Sequence, residues 1–409
     1  MTKNTEAART TKQRTSTGKR RTLRIAVAVV TVIAIAVGVL AFFNRPLSRD
    51  QVHEAIDERL TRVVAENDSV SSVLLTVAEA SGDVHEFAVG TTHPGSSEPV
   101  GVDSPYHSAS VGKTMLATVY GQLVDEGVLA FDDPVTRWLD ADTLAGLFVV
   151  DGVDRAGQVT IGQLLRHTSG VGDYFEGPVD AGPTMLATIA TDPDRLFTPL
   201  EIVAFTRDRQ VPVGQPGETF SYSDTGYILL GLALESIEDK PYDEILEDRI
   251  FRPLGMADSH LMTRFGVESD ILAIEVNGVD LSTRNALSLD WAGGGVVTTM
   301  ADLLTFMRAL EGGELVSPPV HREMTDFSND VDTGIGYGMG MMQFRFSELS
   351  PLLFSMSDVH GAVGVTGTFA LYDPASETHY IANFGSFEFR ERAIEELIDI
   401  RLTFDRLEG

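Results

Sequence analysis

The chain contains no cysteine. That absence excludes disulfides, thiolate metal sites, a cysteine nucleophile and a lipid-modified N-terminal cysteine. Lysine is nearly as scarce: there are five in 409 residues, and Lys3, Lys12 and Lys19 lie within the first 24 positions. Beyond them only Lys113 and Lys240 remain, although arginine is plentiful. A desolvated lysine can lose its proton near neutral pH and an arginine cannot, so a surviving lysine marks a position to inspect. Positive charge is lacking overall, with a formal net charge of −29. The first 24 residues run the other way. They hold eight basic residues against Glu6 alone, a net of +7, which leaves −36 for the remainder. Such a surface repels nucleic acid and anionic lipid, which excludes a nucleic-acid partner.

One long apolar run breaks the pattern. Residues 25–43 are nineteen positions without a charge. At 1.5 Å per residue they nearly span a hydrocarbon core of about 30 Å. Arg20, Arg21 and Arg24 before it favour a cytoplasmic N-terminus. The run exceeds the usual signal-peptide core of about 7–15 residues, and no small-x-small site precedes Asn44. An uncleaved single-pass anchor is therefore expected over a cleaved signal. The expected organisation is a basic cytoplasmic tail (1–24), a transmembrane anchor (25–43) and one extracytoplasmic domain (44–409). With 43% hydrophobic residues the chain can bury a large core.

Within that domain, residues 47–66 place Val52, Ile56, Leu60 and Val63 at helical spacing. Two β-rich runs, 71–80 and 85–90, flank Ser81-Gly82-Asp83 and predict a hairpin. Residues 111–126 turn helical, with Met115, Val119 and Leu123 on one stripe and Gly127 as the stop. The middle, 130–310, reads as mostly helical. Strands are expected at 340–346, 367–373 and 378–384, followed by a helix at 388–403. Strands at both ends and helices between them predict an antiparallel sheet built from both termini, with a helical region inserted.

The stretch "HSASVGKTML", residues 107–116, has two incompatible readings. Gly112-Lys113-Thr114 is how a phosphate-binding loop ends. That motif needs a glycine at position 107, which holds His107, and no glycine lies between 107 and 111. The alternative is Ser110-x-x-Lys113, a nucleophile motif of acyl-transfer enzymes. If Ser110 opens the helix, its backbone N–H is one of the unpaired donors at the helix start and can face a developing oxyanion. Lys113 lies one turn on, where a neutral or proton-sharing amine can take the serine proton.

Two further segments supply partners. "FSYSDTGYILLG", 220–231, sets Tyr222-Ser223-Asp224 before a helix beginning near Thr225. Tyr222 there can shuttle a proton, but alone it reads equally as a half-buried aromatic, and Asp224 as an N-cap. "DVHGAVGVTGTFALYDP", 358–374, places His360 before small residues that let a substrate backbone approach. Alone, His360 is an ordinary polar residue and the glycines a turn. Neither a GxSxG elbow nor an HExxH zinc motif occurs.

Together the three segments resemble the serine β-lactamase and penicillin-binding-protein-like hydrolases, the broad group of class C β-lactamases, D-alanyl carboxypeptidases, D-amino-acid peptidases and related esterases. Ser110–Lys113 looks like the nucleophile motif, Tyr222–Asp224 like Tyr-x-Asn, and His360–Ala362 like the Lys/His-x-Gly strand. Framework stretches such as "TIGQLLRHTSGVGDY" (160–174) and "AGGGVVTTMADLLTF" (292–306) carry the resemblance from about residue 50 to 400. It implies an α/β sandwich with an inserted helical subdomain and no metal or cofactor. It also implies Ser110 as acylated nucleophile, Lys113 as base partner and Tyr222 as second acid/base group. Asp224 would contact substrate or the lysine. His360, Ala362 and Val363 would lie on the strand that binds substrate and supplies a second oxyanion donor.

Two positions depart from the family pattern. Asp224 replaces asparagine with an acceptor-only, charged group. Ala362 stands where glycine is usual, and Gly361, Gly364 and Gly367 allow more than one register for the strand. The expected partner is a small-molecule or peptide substrate; β-lactams, D-Ala peptides and esters all fit, and an extracytoplasmic position suits cell-envelope substrates. The alternative is a binding or sensor protein that keeps the fold and has lost turnover.

Overall fold

The computed structural model describes residues 45–262 and 271–408. The basic tail and the apolar run at 25–43 lie outside these residues. Among the described residues no helix is long and apolar enough to cross a membrane. The chain divides into two compact units. In the small one, formed by the segments up to Ile56 and from Ile398, Leu47 N–H donates to Arg406 O at 2.7 Å and Leu47 pairs in parallel with Leu407.

The large unit, Asp57–Leu397, carries an eight-stranded sheet. Its strands are β1 (Ser72–Ala78), β2 (Val84–Gly90), β3 (Asn329–Asp332), β4 (Ile335–Tyr337), β5 (Met342–Phe344), β6 (Val359–Val363), β7 (Phe369–Asp373) and β8 (Thr378–Asn383). The spatial order is β3-β4-β5-β6-β7-β8-β1-β2, and every pairing is antiparallel. The N-terminal hairpin thus adds to the last C-terminal strand, so both ends of the sequence build one sheet. β1, "SVLLTVA", is buried at every position, as expected of a strand paired on both sides and covered on both faces.

Of the helices, α1 (Gly112–Asp125), α2 (Asp224–Glu238), α3 (Met300–Glu311) and α4 (Arg390–Phe404) all fall in the regions expected to be helical. α1 is buried nearly all round, Lys113, Thr114 and Thr118 included, and it is a central rod rather than a surface helix. α3 packs on β1, β7 and β8. A small sheet of Tyr106–His107, Val296–Thr298 and His260–Leu261 holds the chain just before Ser110.

Three local expectations change. Residues 340–346 form a strand only over Met342–Phe344, because Gly340 sits at φ +71° and its carbonyl accepts from Thr114 Oγ1 at 2.7 Å. The β3–β4 hairpin, turned at Gly334 (φ +72°), has no counterpart among the expected elements; its sequence is polar and β3 is largely exposed, so no alternation shows. Asp224 is not the N-cap of α2. Ser223 is, accepting from Gly226 N–H at 3.2 Å, and this leaves the Asp224 carboxylate free to turn inward.

Candidate active site

Ser110 lies in a single 3₁₀ turn, Ala109–Val111, directly before α1. The turn is forced. Ala109 takes φ +48°, a left-handed conformation that costs a non-glycine residue energy and recurs at functional sites. Glycines make room for it. A Cβ at Gly294 would lie 2.2 Å from Ala109 O and 2.9 Å from Ser110 N, and one at Gly112 would lie 3.0 Å from Gly294 Cα. The run "AGGG" at 292–295, read in the sequence as framework, is thus the floor of the Ser110 turn.

Two groups converge on Ser110 Oγ. Lys113 Nζ donates to it at 3.0 Å and Tyr222 Oη donates to it at 3.0 Å. The Lys113 ammonium is only 1% exposed and spends its other donors on Asp224 Oδ1, at 2.5 Å, and on the Gly293 carbonyl. Burial pulls the Lys113 pKa down, but Asp224, with Tyr222 and Asp290, pulls it up by more, so the amine rests as a cation. Of the neutral and the proton-sharing amine expected, the aspartate in place of asparagine favours a protonated lysine that shares its protons with Asp224 and Ser110. Tyr222 is pushed up to about 12 by burial, against the opposing pull of Lys113, and rests as a neutral phenol.

Residues that the motif reading missed hold this centre in place. His167, at φ +56°, lies under Tyr222 with ring centroids 4.1 Å apart. Its Nδ1 accepts from Ser223 N–H at 3.1 Å, so Nε2 carries the hydrogen and donates to Tyr337 Oη at 3.0 Å. Burial, then Lys113, hold its pKa well below the usual value. Asp173 Oδ1 accepts from Asp224 N–H at 3.0 Å; burial, then the Asp224 charge, raise Asp173 to about 7. Asp290 is likewise raised to about 7 by burial and Asp224, with Lys113 opposing. His107, held at about 4 by burial and Lys113, faces Asp290 Oδ2 at 3.5 Å. Nothing in one-dimensional spacing marks Asp173 or Asp290. His167 stands in "RHTSGVG", where a left-handed histidine before a glycine turn leaves no periodic signal.

A cleft of about 500 Å³ opens over Ser110, lined also by Tyr222, Asp224, Asp290 and the segment Val363–Thr366. Val363 therefore meets the cleft. His360 and Ala362 do not line it, because side chains alternate along β6 and these two face the other way. His360 Nε2 instead bonds Glu311 Oε1 on α3 at 3.0 Å. Burial alone would raise Glu311, but His321 and His360 hold it down at about 2. The part of the third segment that borders Ser110 is therefore Val363–Thr366, beyond His360–Ala362. Gly364 abuts the Ser110 turn, where a Cβ would sit 2.8 Å from Ala109 Cβ and 3.4 Å from Ser110 N. Among the described residues, neither the Ser110 nor the Val365 backbone N–H donates to a protein acceptor. No cluster of His, Asp and Glu among them is arranged to hold a metal ion.

Penicillin-binding protein 4 of Amycolatopsis lactamdurans is 34% identical over 236 residues, an alignment covering 56% of each chain. The chain thus spans little more than half the length of that curated relative. Among solved structures, a D-stereospecific amidohydrolase from Streptomyces sp. superposes with a TM-score of 0.68 at 27% identity, over 84% of this chain and 97% of its own. A D-amino acid amidase from Ochrobactrum anthropi SV3 gives 0.71 at 24% identity, over 86% and 98%, and shows the same fold. The Beta-lactamase family model matches residues 54–393, across the sheet, the α1 turn and every cleft segment just described. On that match the chain belongs to the Beta-lactamase family.

Proposed function

We propose that the protein is a serine hydrolase working through an acyl-enzyme on Ser110. The observation that carries this is the meeting of Lys113 Nζ and Tyr222 Oη on Ser110 Oγ, each at 3.0 Å. Serine Oγ attacks the substrate carbonyl and gives its proton to Lys113 Nζ as the ammonium passes one of its own to Asp224 Oδ1. The new C–O bond drives the carbonyl electrons onto oxygen, where the N–H groups of Ser110 and Val365 stabilise the charge. When the tetrahedral adduct collapses, Tyr222 donates its proton to the leaving group and regains one from Lys113. Water then reverses the sequence and releases the acid.

The likeness to a penicillin-binding protein and a D-stereospecific amidohydrolase supports acyl transfer to serine as the reaction class. A second reading has one observation in its favour. Lys113 Nζ lies 2.5 Å from Asp224 Oδ1, and a lysine held as a cation is a poor base, which suits a binding protein that does not turn over. Hydrolysis of p-nitrophenyl acetate by the wild type and its loss in Ser110→Ala test the first reading; one equivalent of product followed by arrest supports the second. The apolar run at 25–43, with its basic flank, supports an extracytoplasmic site held by a membrane anchor. Protease accessibility of the 44–409 portion on intact cells checks that placement.

A further inference from the structure

We propose that the cleft selects uncharged, apolar acyl groups and rejects substrates with a free carboxylate in the acyl part. The inference rests on the hydrolase reading above and narrows its substrate. At about 500 Å³ the cleft takes a ligand of modest size. Its walls come from two separate regions of the fold. Leu186, Ile189 and Leu281 contribute one apolar group, and Val331, Met342 and Phe344, from the far strands of the sheet, contribute another.

The charged groups on this lining are of one sign in effect. Asp224 and Asp290 stand beside the nucleophile, and Glu176 and Glu391 lie on the same cleft. Against them the lining offers Arg390, whose Nη1 is bonded to Glu176 at 3.1 Å and whose guanidinium lies over Phe387. Lys113 is engaged by Asp224. A substrate carboxylate would therefore have to compete with Glu176 for Arg390 and with Asp224 for Lys113. The strand that borders Ser110 presents the Val363 isopropyl group, while His360 is turned onto Glu311 on the opposite face. A carboxylate entering here would lose its water among apolar walls, in a lining where acidic groups outnumber cations and the cations already have carboxylate partners.

The test uses the full chain and p-nitrophenyl esters that share one leaving group: acetate, butyrate, hexanoate, hydrogen glutarate and methyl glutarate. We expect kcat/KM to rise about threefold per added methylene from acetate to hexanoate. Hydrogen glutarate should run at least ~30-fold below its methyl ester, and Val363→Lys should shrink that gap at least ~10-fold. Labelling of Ser110 by a fluorophosphonate, read by mass, is followed in parallel. Equal or faster hydrolysis of hydrogen glutarate, with Ser110 labelled, overturns the substrate class and leaves the hydrolase reading standing. An unchanged gap in a folded Val363→Lys variant also overturns it. Inertness toward every ester, with Ser110 unlabelled, overturns both.

Discussion

The imidazole of His167 lies under the phenol of Tyr222, ring centroids 4.1 Å apart at 33°, and is locked there by Ser223 N–H on one nitrogen and Tyr337 Oη on the other. The histidine does not touch Ser110. It sets where the phenol points, and burial with the nearby Lys113 charge keeps it neutral. His167→Ala should therefore lower kcat by at least ~10-fold with KM little changed, because only the proton transfer is misaimed. The wild-type rate should carry no inflection from His167 near pH 6.5. Steady-state kinetics between pH 5.5 and 8 check both points.

Asp224 governs the charge on Lys113. In Asp224→Asn the buried ammonium loses its nearest anion, burial is offset only by Tyr222 and Asp290, and the lysine titrates at lower pH. The variant also loses the group that takes the lysine proton. Activity at pH 7 should fall by about 10²-fold and then climb with pH more steeply than in the wild type. A pH profile of kcat/KM measures this, and equal activity with a parallel profile would refute the role.

Much of this arrangement is legible in the sequence alone. The terminal strands, the inserted helices and the Ser110–Lys113 turn follow from alternation, helical spacing and a motif within one turn of chain. What escapes depends on facing and on folding back. His360 carries the right chemistry in the right segment, but whether a strand residue faces the cleft is decided by a one-residue phase that glycine-rich sequence does not fix. Asp290, Gly293 and Asp173 reach the site from segments 50 to 180 positions away, and no local pattern announces such a contact.

Stability should decline as pH rises between about 4 and 7. Asp173 and Asp290 each have a folded-state value near 7, above the unfolded value of about 3.9. Their protons are kept in the folded chain and shed in the unfolded one, so their contribution is full below about pH 4 and gone above about 7. Asp290→Asn should flatten part of that slope and raise Tm at pH 8 relative to the wild type. Glu311 acts in the opposite sense. Its folded-state value of about 2 stabilises above the normal carboxylate range and is lost on acidification toward 2. Thermal melts across pH 3–8 read all three.

Gly294 should not tolerate a methyl group. The clash is with backbone, at 2.2 Å from Ala109 O, and no flexible side chain can yield. Gly294→Ala should cost about 1–3 kcal/mol of stability and lower acylation of Ser110 by at least ~10²-fold. Gly157→Ala, where a Cβ meets nothing within 4 Å, should be close to neutral in both assays.

On the proposed reading, the phenol and the amine that meet Ser110 Oγ make that hydroxyl the reactive one, and covalent labelling measures this directly. With a fluorophosphonate at neutral pH, peptide mass mapping should find a single adduct on Ser110. The adduct should be absent from Ser110→Ala and form at least ~10²-fold more slowly in folded Tyr222→Phe and Lys113→Ala. An adduct on another serine, or labelling of Ser110 at the same rate in all three proteins that retain it, would contradict the account.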